Sequence, residues 1–156
     1  KMSNSWHRDF PAGTGADNLS VLLTPAGTGH VLSTIGLVMP QRANTTISTD
    51  ANVTYTAAQV LGGIITRDTM SANRVDAMPT AAALVAAIPG AVVGTSFELV
   101  INNNDTAQTI TFNGASTGIT YEGAATALAA TEARLFRVLI TNVTGASEAA
   151  TVYQVV

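Results

Sequence analysis

From Asn18 to Gln41, and again from Ala77 to Phe97, the chain carries no Asp, Glu, Lys or Arg. Across all 156 residues charged side chains make up 11%, against about 25% in an ordinary soluble domain. This poverty of charge narrows what the chain can be. The hydrophobic fraction is 47% but aromatics supply only 5%, so the apolar surface is built from Ala, Val, Leu and Ile among Thr, Ser, Asn and Gly. A surface with few charges and a net charge of only -3 favours association. The expectation is a structural module that packs against copies of itself or a larger assembly. A single copy surfaced by Thr, Ser and Asn is the plainer reading of the same composition.

Several partner classes fall away on this ground. Nucleic acid needs clustered Lys and Arg, and the seven basic residues are scattered. Neither uncharged stretch is expected to span a membrane. Pro25, Gly27, Gly29 and His30 interrupt the first, and Pro79, Pro89, Gly90 and Gly94 the second, where a span needs about 20 continuous apolar residues. No secretory leader is read, because no apolar core follows Lys1, Arg8 and Asp9. There is no cysteine, hence no disulfide framework, thiolate metal site or thiol nucleophile.

Along the chain, short apolar runs alternate with Gly, Pro and Asn. Pro11-Ala12-Gly13-Thr14-Gly15-Ala16 returns as Pro25-Ala26-Gly27-Thr28-Gly29-His30, and the strand-like runs Leu19–Thr24 and Val31–Met39 follow these turns. Asn44 to Thr56 is Thr-rich, with strand propensity. Thr56 is set to cap a short helix over Ala57–Leu61, stopped by Gly62-Gly63. Ile64-Ile65-Thr66 reads as a strand, and Thr80 opens a second helix that Pro89-Gly90 ends, with Leu84, Val85 and Ile88 on its packing face. Thr95–Asn102 alternates, and Asn102–Asp105 is expected to turn it into a hairpin with Thr106–Phe112. Further strands are expected at Gly118–Tyr121, Ala133–Thr141 and Glu148–Val156, the last two joined by a turn at Asn142–Gly145. The fold class is therefore all-β, mainly β with two short helices: a β-sandwich or jelly-roll type barrel. Residues 1–50 form an N-terminal arm or small attachment segment, and residues 51–156 the head.

The chain shows no assembled catalytic set, so no enzyme and no cofactor or metal site is expected. Its only histidines, His7 and His30, lie outside the well-patterned β region, and nucleophilic catalysis needs a base. The acids are isolated. Glu98 stands inside a strand and is expected to pair with Arg134 or Arg137. The oxygens of Asn102–Asp105 lack the alternating carboxylates of a calcium loop. One charged group stands out: Arg67, Asp68, Arg74 and Asp76. These four are either local ion pairs on an exposed loop or a subunit interface whose register they fix. Trp6 and Phe10 are the large apolar side chains that could anchor the arm.

The run from Val53 to Asp68 resembles a segment of the capsid decoration and head-fibre proteins of tailed bacteriophages. Leu84–Gly90, Thr95–Asn103 and Phe136–Thr144 look similar too, and the likeness covers roughly residues 53–156. The resemblance implies a homotrimeric β-rich head, on the exterior of the virion capsid, whose N-terminal part attaches to the major capsid protein as a cement or fibre subunit. The alternative is a receptor- or glycan-binding knob of a virion spike or fibre. That role asks for an exposed aromatic platform.

Overall fold

The computed structural model of the protein describes residues 42–123 and 127–155. They form nine strands and two helices: β1 (Ala43–Ile47), α1 (Ala57–Gly62), β2 (Gly63–Arg67), β3 (Arg74–Ala77), α2 (Ala81–Ala87), β4 (Ser96–Asn103), β5 (Ile110–Gly114), β6 (Ile119–Glu122), β7 (Ala127–Leu128), β8 (Ala133–Asn142) and β9 (Ala149–Val155). The β-rich class with two short helices is as expected.

Both helices start and stop where local chemistry dictates. The Thr56 side chain accepts from the Gln59 backbone N–H at 3.2 Å, and Gln59 Oε1 accepts from the Thr56 N–H at 2.8 Å. This capping box satisfies two donors that the first turn leaves open. Gly63, at φ 89°, closes the helix in the left-handed region that side chains avoid. Thr80 caps α2 by accepting from the Ala83 N–H at 3.2 Å, and Ile88 ends it in extended backbone, the geometry that the following Pro89 imposes. Val60, Ala81 and Leu84 are the helical residues driven into the core.

The strands form two sheets, one ordered β1-β2-β4-β8-β9-β6 and one ordered β3-β5-β7. Four pairings are parallel: β1 with β2, β2 with β4, β3 with β5, and β6 with β9. Parallel neighbours need crossover connections. Helix α1 lies in the first of these, while α2 and β3 lie in the second.

One expectation changes here. Asn102–Asp105 makes no hairpin: β4 pairs with β2 and β8, whereas β5 pairs with β3 and β7. The turn is a corner at which the chain leaves one sheet for the other. Strand β1, placed in the arm by the sequence, is a full member of the six-stranded sheet, in register with β2 from Ala43↔Gly63 to Ile47↔Arg67. The compact unit that holds the described residues begins at Pro40.

The core draws on both sheets. Phe112 of β5 meets Phe136 of β8 with ring centroids 5.0 Å apart, and it also touches Tyr55 and Tyr121 at 5.7 and 5.6 Å. Leu99, Ile101, Val138, Ile140 and Val152 from the large sheet join Ile110 and Leu128 from the small one, all at 0–1% exposure. Fully burying a side chain of this kind stabilises by about 1.5–3 kcal/mol.

Candidate functional site

The charged group at 67–76 divides in two. The parity of β2 puts Gly63, Ile65 and Arg67 on one face, and that face is the inner one. Arg67 is 0% exposed, as is Asp76, and their Nε and Oδ2 atoms are 2.8 Å apart. Arg67 also donates to the carbonyls of Ile47, Thr49 and Ala51 at 3.3, 3.0 and 2.8 Å. Asp76 accepts from the Tyr55 hydroxyl at 2.7 Å and the Val53 N–H at 3.0 Å. Burial, and the Asp76 carboxylate beside it, push the Tyr55 phenol far above its usual range, so Tyr55 stays neutral and donates. The network ties the 47–53 loop to β2 and β3.

Arg67 and Asp76 are therefore no subunit interface. They have no surface to offer another chain, because the hydrophobic alternation that buries Ile65 buries Arg67 with it. Ile65 two residues earlier was the sequence signal for this. Arg74 stands apart, partly exposed and paired with Asp50, whose carboxyl its Ser71 and Arg74 partners hold below the usual range. Asp68 is half-buried and accepts from the Thr69 N–H at 2.8 Å.

A second polar cluster, Asn103 and Asp105, occupies the corner between the sheets. Asn103 Nδ2 donates to the carbonyls of Gln108, Ala129 and Leu128 at 2.8, 2.9 and 3.2 Å. Asp105 accepts from the backbone N–H groups of Ala107, Gln108 and Met70, each at 2.8 Å. Those donors hold its carboxyl below the usual range. Both carboxylate oxygens are thus committed to backbone. Among the described residues, no group of three or more His, Asp or Glu is placed to hold a metal ion, and no helix is long and apolar enough to cross a membrane.

Among the described residues the remaining cations are all paired. Of the seven basic residues, Lys1 and Arg8 lie outside the described ones, as do Trp6, Phe10, His7, His30 and the repeated hexapeptide. Beyond Arg67 and Arg74, Arg134 pairs with Glu132 at 2.6 Å and Arg137 with Glu98 at 2.9 Å, the latter as expected. Arg42 also reaches Glu98, donating to its backbone carbonyl at 2.6 Å.

The outward face of the six-stranded sheet was not singled out from sequence. Register places Ile64, Val100, Leu135 and Val155 side by side on β2, β4, β8 and β9. The next row is polar: Glu98, Arg137, Tyr153 and Glu122 on β4, β8, β9 and β6. Tyr153 is 40% exposed. The four apolar residues are half-buried, yet none is among those packed against the core.

No protein-family model, no curated protein and no solved structure matches the chain.

Proposed function

We propose that the chain is a non-enzymatic structural subunit of a virion, a capsid decoration or head-fibre protein that associates with itself as a trimer. The observation that carries this reading is the commitment of charge. Every described arginine is paired with an acid of its own chain, so the described head offers no free arginine and presents a surface of Thr, Ala, Val and Asn with a few unpaired acids. Such a surface is suited to close packing against a neutral neighbour, and poorly suited to an anionic ligand or to nucleic acid. In this reading the head is a two-layer β-sandwich, and the aromatic contacts around Phe112 support it. The segment before β1, with Trp6 and Phe10, attaches to the major capsid protein on the capsid exterior. The receptor- or glycan-binding alternative fares less well. Among the described residues Tyr153 is the one large aromatic with substantial exposure, and a single ring makes no platform.

The test is the solution mass of the full chain by light scattering over a dilution series. A mass three times the 15.9 kDa of one chain, holding at low concentration, supports the proposal. A mass of one chain at every concentration overturns it.

A further inference from the structure

From the register of the six-stranded sheet we infer that its outward face is the self-association surface, and that the same face of neighbouring copies covers it around the symmetry axis. This rests on the self-association reading above and names the surface that reading needs.

Three observations support the assignment. First, β1, β2 and β4 pair in parallel, as do β6 and β9, and parallel strands are normally covered on both faces. Among the described residues the core covers one face only: Leu99, Ile101, Phe136 and Val138 point into it. Ile64, Val100, Leu135 and Val155 form an unbroken apolar row on the other side, and half-buried Leu139 on β8 lies beyond the row of Arg137. Second, the charges suit a neighbour with the same face. The flanking row holds Arg137 with Glu98, and Arg42 with the same Glu98, while Glu122 on β6 brings the face to two acids and two arginines. A face with balanced, internally paired charge meets its own copy without the repulsion that a single-sign face would suffer. Third, the size fits. Six strands about 4.8 Å apart and roughly five residues deep span about 29 by 17 Å. That plane is about 490 Å² in projection, more than half of the roughly 800 Å² each partner gives to an interface of standard size.

Other surfaces offer less. Val92 and Val93 are 60% and 63% exposed, but they are two adjacent residues in the turn before β4. The hollow lined by Thr54, Thr80, Ser116 and Thr117 is shallow and carries no charge.

The absence of cysteine makes the experiment clean. The full chain is prepared as Y153C, on the proposed face, and as V93C, in the turn before β4, and each is treated with a short bismaleimide. Separately, the mass of L135R is compared with the parent. The expected result is covalent linkage of copies through Y153C and not V93C, with L135R falling to the mass of one chain at unchanged far-ultraviolet circular dichroism. Should L135R fail to fold, the Y153C cross-link decides. A parent oligomer in which Y153C does not link and L135R keeps its mass overturns this surface while leaving self-association standing. A parent that is a single chain overturns both. So does a single-chain Y153C variant whose new thiol resists maleimide, since the chain's own residues would then cover the face.

Discussion

Among the described residues, Arg67 and Asp76 are the two charges that cost most to leave alone. Both are fully buried, and a buried ion without its partner destabilises by about 3–5 kcal/mol. Arg67→Met leaves Asp76 with only the Val53 N–H and the Tyr55 hydroxyl. Asp76→Leu leaves Arg67 with carbonyls alone. Each single variant is expected to lose about 3–5 kcal/mol in urea unfolding. The double variant is expected to fall short of the sum by about 1–3 kcal/mol, yet not to reach the parent, because the Ile47, Thr49 and Ala51 carbonyls lose their donor. Additive losses would show that the two charges do not sense each other. Asp105 sets a different dependence. Its folded carboxyl is held below the usual range by three backbone N–H groups, as the Arg134 side chain and the Ala129 N–H hold Glu132. A depressed carboxylate contributes stability in full above its unfolded value, about 4, and loses it as pH falls through the lower folded value. Thermal midpoints should therefore be flat from neutral pH to about 5 and decline below about 4. Asp105→Asn should lower the neutral midpoint and flatten part of that decline. A D105N variant with the parent's full acid slope would remove Asp105 from this role.

Elements differ in how much of them the sequence discloses. Helices α1 and α2 were legible because a capping box and a helix-stopping Gly or Pro act within four residues. The β4 alternation was legible for the same reason, its burial following the pleat from Leu99 to Asn103. Pairing was not. Asn102–Asp105 has the chemistry of a hairpin, and what makes it a corner is a set of partners at Met70, Leu128 and Ala129, far along the chain. The outward face of the large sheet was hidden likewise, since Ile64, Val100, Leu135 and Val155 become a row only through register. Glycines separate local from distant demands. Gly90 at φ 69° and Gly118 at φ 75° both sit in the left-handed region, but a Cβ at Gly90 meets nothing within 4 Å. One at Gly118 would press into the Glu148 carbonyl oxygen and lie 2.8 Å from the Ala81 Cβ, at the point where the Ala150 N–H bonds Gly118 and β6 joins β9. Gly90→Ala is expected to cost about 1–2 kcal/mol from backbone strain alone. Gly118→Ala should cost clearly more and expose the β6 amides to hydrogen exchange. Equal costs would show that the strands can part without penalty.

At the scale of the whole molecule, the sparse charge and the open sheet face have one joint consequence: how association responds to salt. If oppositely charged patches on different copies held the oligomer together, added salt would screen them, since the Debye length falls from about 30 Å at 0.01 M to about 3 Å at 1 M. The described arginines are already paired within their own chain, so few charges remain to act between chains. What remains to drive association is the apolar row, at about 25 cal/mol for each Å² removed from water, and excluded salts strengthen that term. The dilution at which the oligomer separates should therefore shift little between low salt and about 1 M sodium chloride, and sulfate should move it toward lower protein concentration. Light scattering or sedimentation across that range reads the difference directly. A midpoint that rises tenfold or more with chloride would mean that Glu122, Glu148 or Asp68, acids without an ion-pair partner among the described residues, meet cations of another copy. The contact would then lie away from the outward face of the six-stranded sheet or be shared with it, because of these three only Glu122 belongs to that face.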